Sequence, residues 1–193
     1  GAILDATLRV KDIAMMRRLV DQVMQSNLTP TVPTMNMLIK ATGTLHRIEN
    51  VRALWNELTG VRAVPPNDFS VGCMVDALVS NNCLAEAVEL VDKWKDRVQM
   101  NTIIYSTLIK GYAIAKDSVG ALNCFETMKA GGFTPNIVTV NTLLDACHRA
   151  GATQSARKLY EQISDLQLEP DRITFATMIK GFARHGCADE AVA

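Results

Sequence analysis

Aromatic residues make up only 5% of this 193-residue chain, and neither charge is in excess, since 20 Lys+Arg face 20 Asp+Glu. Zero net charge gives no composition-level argument for nucleic acid or for a membrane surface. With 11 glycines and 6 prolines, turn formers are too few for a loop-rich all-β protein. No apolar run approaches the ~18 residues of a membrane span, so no membrane insertion is expected. The five cysteines (Cys73, Cys83, Cys124, Cys147, Cys187) are odd in number, and none forms a C-x-x-C pair. They predict small core residues in a reducing compartment rather than a disulfide framework. The chain begins at Gly1 without signal- or transit-peptide character and stops at Ala193 inside a helical pattern, so a piece of a longer protein is expected. What is plentiful is apolar content, 48%, which argues against disorder and suffices for a core.

The chain repeats itself. Pro135-Asn136-Ile137-Val138-Thr139-Val140-Asn141-Thr142-Leu143-Leu144 returns 35 residues later as Pro170-Asp171-Arg172-Ile173-Thr174-Phe175-Ala176-Thr177-Met178-Ile179. Met100-Asn101, Pro66-Asn67 and Pro30-Thr31 continue the series backwards. These marks divide the chain into units 1–31, 32–67, 68–101, 102–136, 137–171 and 172–193, a single array whose first and last units are partial. Within a unit the apolar period is helical. Val51, Leu54, Trp55 and Leu58 form one face, repeated as Ala121, Cys124, Phe125, Met128 and as Ala156, Leu159, Tyr160, Ile163. His46, Asn82, Gly151 and Gly186 stand between the two helices of a unit, where a left-handed residue is needed. Pro30, Pro66, Pro135 and Pro170 follow the second helix and stop it. A hairpin of this kind cannot bury its apolar face alone, so an all-α solenoid of about six stacked helix-turn-helix hairpins is expected. Ala87, Ala121, Ala156 and Ala191 predict close helix approach in the second helices.

The 35-residue period, the Pro-Asp/Asn at the unit end and V-T-V-N-T-L-L opening the next unit resemble pentatricopeptide repeats of the plain type. The tetratricopeptide repeat is disfavoured, because Lys40, Asp76, Lys110, Asp145 and Lys180 stand near the place of its glycine. The resemblance implies a right-handed solenoid that binds single-stranded RNA, about one base per repeat, in a mitochondrion or plastid. It implies that the fifth and last residues of each unit read the base. These pairs are Asn36 with Asn67, Gly72 with Asn101, Ser106 with Asn136, and Asn141 with Asp171. An Asn amide matches a pyrimidine edge, a Ser leaves room for a purine, and the last residue can orient the first. Read in order, the pairs imply a pyrimidine, an uncertain base, adenine and uracil. Asn141 is taken to be exposed. Phe69, Ile103, Val138 and Ile173 fit either a wedge between bases or ordinary packing, while Pro33 breaks that series.

The first helices carry Arg9, Lys40, Lys110, Lys116, Arg149, Lys180 and Arg184 against Asp5, Asp76 and Asp145. Lys110, Arg149, Lys180 and Arg184 are therefore candidate phosphate contacts. Asp5, Lys40, Asp76, Lys110, Asp145 and Lys180 alternate in sign at one repeat place, which predicts a charge ladder between neighbouring units. His46, His148 and His185 occupy different repeat places without metal-ligand spacing, and no phosphate-binding glycine loop or serine-nucleophile motif occurs. The expectation is a non-catalytic chain with no cofactor or metal. It is either an RNA-binding adaptor for organellar RNA processing, stability or translation, or an interaction scaffold among protein subunits of a larger assembly.

Overall fold

The computed structural model describes residues 2–26 and 29–184 of the chain. His185, Gly186, Cys187 and Ala191, singled out above, lie outside them. Every regular element among the described residues is helical, as expected for an α-solenoid, and the chain divides into two compact units, 1–100 and 101–193. The first holds α1 (Ala2–Val10), α2 (Ile13–Gln25), α3 (Val32–Thr44), α4 (Ile48–Asn56), α5 (Asp68–Ser80) and α6 (Leu84–Trp94). The second holds α7 (Thr102–Ile114), α8 (Ser118–Ala130), α9 (Ile137–Arg149), α10 (Thr153–Glu161) and α11 (Arg172–Arg184).

Each hairpin turns on one left-handed residue. His46, Asn82 and Gly151 take φ of 56°, 60° and 73°, and Lys11 and Lys116 adopt the same conformation without a sequence signal for it. The turn also closes alike every time, by a backbone N–H to the carbonyl five residues earlier: Arg47 to Thr42, Cys83 to Leu78, Asp117 to Tyr112, Ala152 to Cys147. That is the Schellman closure, which satisfies a helix-end carbonyl at the cost of one left-handed residue.

Packing follows the repeat. In the first unit α3 lies against α1 and α5, and in the second α9 lies against α7 and α11. The even-numbered helices fill the grooves so formed: α4 touches both α3 and α5, and α10 touches both α9 and α11. The apolar faces read from the sequence are the core. Val51, Leu54, Trp55 and Leu58 are buried, as are Ala121, Phe125, Met128, Ala156, Leu159 and Ile163. Cys73 and Cys147 are buried too, and burial pushes both thiols up to about 11, so they pack as neutral side chains. Ala156 is fully enclosed within the second unit's core. Ala156→Leu is expected to cost about 1–2 kcal/mol by overpacking, read as a lower melting temperature.

A second small-residue series runs through the first helices: Ala41, Ala77, Gly111, Ala146 and Gly181. All five are buried. At two crossings the residue two places on from one small residue faces the next helix's small residue, so their sizes must match. Gly43 lies against Ala77, where an added Cβ would come within 2.5 Å of the alanine Cβ. His148, larger, lies against Gly181.

The 36-residue unit 32–67 is one residue longer than the period. Its second helix absorbs the difference as a π-helical turn, Glu57–Val61, followed by left-handed Ala63 at φ 48°. Arg62 closes this turn, bonding Glu57 on one side and the Pro30 carbonyl on the other.

Within each unit the alternating charges do not form the expected ladder. Asp5 pairs with Arg9 and Asp145 with Arg149, each at 2.8 Å and each one turn along its own helix. No ion pair joins Lys40 to Asp5 or Asp76 in the first unit, or Lys110 or Lys180 to Asp145 in the second. An i,i+4 partner needs no side chain to stretch across a helix interface, so it wins. Charge pairing between repeats occurs on the second helices instead. Arg52 of α4 grips Glu86 of α6 through two nitrogens, at 2.5 and 3.1 Å, and holds the Glu86 carboxyl below the usual carboxylate range.

Candidate nucleic-acid interface

The residue that ends each repeat opens the next first helix as its N-cap. Asn67, Asn101 and Asn136 accept from the backbone N–H three residues on, at 2.9, 3.1 and 2.9 Å. Asp171 accepts from the Thr174 N–H at 2.8 Å and from the Thr174 hydroxyl at 2.9 Å. Such a cap contributes about 1 kcal/mol to its helix. The Thr174 N–H and hydroxyl, and more weakly the Asn141 amide, hold the Asp171 carboxyl below the usual carboxylate range against the opposing effect of burial. A lowered carboxylate stabilises the fold at neutral pH, and that contribution disappears as pH falls through its folded pKa.

The fifth residue of the preceding repeat is tied to this cap. Asn141 Nδ2 donates directly to Asp171 Oδ1 at 3.0 Å. The other two pairs meet through a hydroxyl that the sequence reading overlooked. Asn36 Nδ2 donates to Ser70 Oγ at 3.0 Å, and Ser70 Oγ donates to Asn67 Oδ1 at 2.9 Å. Ser106 Oγ lies 2.7 Å from Thr139 Oγ1, which donates to Asn136 Oδ1 at 2.9 Å. Asn101 caps α7 in the second unit, whereas Gly72 is half-buried on α5 of the first and offers no side chain.

Two expectations change here. Asn141 is 7% exposed and Asn36 2%, so neither is a solvated surface residue. Contact between successive first helices covers these positions. Each residue also keeps a buried Oδ1 with no hydrogen-bond partner, because its amide nitrogen is the end engaged by Asp171 or Ser70. A buried acceptor left open costs about 1–3 kcal/mol. The apolar series resolves the other way. Phe69, Ile103, Val138 and Ile173 are 47%, 72%, 66% and 62% exposed, so packing within the chain leaves much of each side chain uncovered. Pro33, at the same place, is exposed as well.

Among the basic candidates, Lys110, Lys180 and Arg184 are exposed, while Arg149 is held by Asp145. Asp145, Arg172, Ile173, Ala176, Thr177 and Lys180 line a shallow groove of about 470 Å³ on α9 and α11. It gathers the last repeat's apolar residue, fifth residue and lysine on one surface, with room for a nucleobase. Among the described residues no group of three or more His, Cys, Asp or Glu is arranged to hold a metal ion. His148 is buried edge-on against Phe182 at 5.4 Å. No helix among the described residues is long and apolar enough to cross a membrane.

This geometry defines a helical-hairpin repeat protein in which Asn67, Asn101, Asn136 and Asp171 cap successive first helices. A family model described as the PPR repeat family matches residues 100–149 and 135–184, a pentatricopeptide repeat domain matches 1–44, and a PPR repeat matches 69–97. The chain belongs to the pentatricopeptide repeat family. One Arabidopsis thaliana pentatricopeptide repeat-containing protein is 25% identical over 174 residues, covering 88% of this chain and 28% of the relative. Another from the same plant, named as mitochondrial, is 30% identical over 96 residues, 49% of this chain and 14% of its own. The chain thus spans well under half the length of these relatives. The crystal structure of the pentatricopeptide repeat protein PPR10 in complex with an 18-nt psaJ RNA element superposes with a TM-score of 0.78 at 20% identity, over 98% of this chain and 31% of that one. The PPR domain of Arabidopsis thaliana protein-only RNase P 1, in complex with tRNA, gives 0.73 at 16% identity, over 94% and 96%.

Proposed function

We propose that this chain binds single-stranded RNA, one base over each capped polar position, as a non-catalytic adaptor in organellar RNA processing, stability or translation. The observation that carries the reading is the open acceptor. Asn36 and Asn141 are buried, their amide nitrogens are engaged, and each Oδ1 awaits a donor. The Watson–Crick edge of uracil offers one in its N3–H, whereas N3 of cytosine is a bare acceptor. This supports uracil at Asn141 and, within the pyrimidine expected at Asn36, uracil over cytosine there too. Ser106, smaller and half-buried, leaves room for adenine. The exposed apolar residues Val138 and Ile173, on neighbouring first helices, suit the flat faces of a base between them. Lys110, Lys180 and Arg184 supply charge for the backbone. The RNA-bound state of PPR10 supports the ligand class, and the mitochondrial name of one relative supports the organelle.

Asn141→Thr tests the reading at one nucleotide. Thr keeps a hydroxyl for the Asp171 carboxylate but replaces the open carbonyl. Preference at that nucleotide is expected to move from uracil toward guanine by about 1–3 kcal/mol, with the other nucleotides unchanged, in titrations of U- and G-containing oligonucleotides. Equal binding of both oligonucleotides by wild type and variant would overturn base reading here.

A further inference from the structure

Ser70 and Thr139 stand at the third place of their first helices, and neither belongs to the pair expected to touch a base. We infer that these hydroxyls determine specificity, by fixing whether the residue beside them meets a ligand as a donor or as an acceptor. The inference rests on the base-reading proposal and extends it to residues that contact no base.

The proton accounting starts from the caps. Asn136 Oδ1 accepts the Thr139 N–H at 2.9 Å, so that atom is the amide oxygen. Thr139 Oγ1 lies 2.9 Å from the same oxygen, which can only accept, so the hydroxyl's single proton is assigned there. Toward Ser106, at 2.7 Å, Thr139 therefore has only lone pairs, and the Ser106 proton points into the protein. Ser106 faces outward as a pure acceptor. Ser70 works alike on Asn36. Its proton goes to Asn67 Oδ1 at 2.9 Å, so it can only accept from Asn36 Nδ2 at 3.0 Å, and the Asn36 amide is locked with its nitrogen on Ser70 and its buried Oδ1 unpartnered. At Asn141 the Asp171 carboxylate does the same directly, and Thr174 holds that carboxylate in place. The sequence keeps the parts together. The repeat whose fifth residue is Gly72, with no side chain to orient, is followed by Ile104 at the hydroxyl's place.

An acceptor-only Ser106 accepts the N6 amine of adenine and repels O6 of guanine. Thr139→Val preserves shape and the backbone cap but returns the proton to Ser106, which can then donate to O6. Selection of the chain and its variants against a randomised single-stranded RNA pool, followed by sequencing, reads the effect. With the RNA running parallel to the protein, 5′ end at the N-terminal repeat as the family resemblance implies, the position to score is the nucleotide on the 5′ side of the one read by Asn141. Wild type is expected to enrich adenine over guanine there. Thr139→Val should lower that ratio roughly ten-fold, and Thr139→Ser, which keeps the hydroxyl, should restore it. Ser70→Ala provides a second reading: freed to flip, the Asn36 amide should lose its discrimination between uracil and cytosine. An unchanged adenine-to-guanine ratio in folded Thr139→Val, or unchanged discrimination in Ser70→Ala, overturns the inference. Asn141→Thr in the same selection separates the two proposals. If it shifts its own nucleotide while the hydroxyl variants shift nothing, only the hydroxyl role fails. If no variant shifts any nucleotide, base reading fails with it.

Discussion

Gly181→Ala is expected to destabilise the second unit by about 3 kcal/mol, at the upper end for overpacking. A Cβ at Gly181 would lie 2.1–2.3 Å from Cγ, Nδ1 and Cδ2 of His148. The imidazole has nowhere to go: it is 2% exposed, edge-on to Phe182, with Nε2 3.5 Å from Met178 Sδ. His148→Ala alone should also destabilise, by leaving a cavity. The double variant should recover much of the loss, with a coupling of about 1 kcal/mol or more in urea denaturation. Strictly additive effects would show that the two residues do not share this contact.

Gly43→Val should cost as much or more, about 3 kcal/mol, because the obstacle is partly backbone. A Cβ at Gly43 would meet Ala77 Cβ at 2.5 Å and Cα at 2.8 Å, and no side-chain rotation relieves a clash with Cα. The helices are clipped together at this crossing, since Asn81 Nδ2 donates to both the Gly43 and Ala77 carbonyls, at 2.9 and 2.7 Å. Separating α3 from α5 to admit a valine would stretch the bond to the Gly43 carbonyl. A urea midpoint within error of wild type would mean that the crossing is looser than its geometry requires.

The period and the second-helix faces were legible in the sequence because helical burial repeats every 3–4 residues and the repeats differ little there. Val51, Leu54 and Leu58 needed only counting. The small-residue series through Ala77 and Gly181 was less visible, since alanine and glycine carry no polarity and their role shows only when the facing residue is known. Lys11 and Lys116 were unreadable for a related reason. Their left-handed turns are imposed by the hairpin closure, not by their side chains. The charge ladder misled because sequence places charges along a helix without saying which neighbour is nearer. For Asp145 the nearer one is Arg149, on its own helix.

At the interface the sequence pointed to the pairs but not to their setting. Asn141 looked like a solvated residue, yet the packing of α9 against α11 encloses it. The hydroxyls of Ser70 and Thr139 went unremarked because a Ser or Thr three residues after an N-cap reads as part of the cap. Their second bond, across to the preceding first helix, is a tertiary fact. The exposure of Ile103 and Val138 likewise depends on which face the neighbouring helix leaves open.

If the open acceptors serve RNA, a filter-binding titration with a random-sequence single-stranded RNA pool will show it. The expected result is saturable binding that weakens as salt is raised, through the lysine and arginine contacts, and that duplex RNA of the same length does not compete away. Absence of binding at every protein concentration, or equal competition by duplex RNA, would contradict it, and the interaction-scaffold reading would take its place.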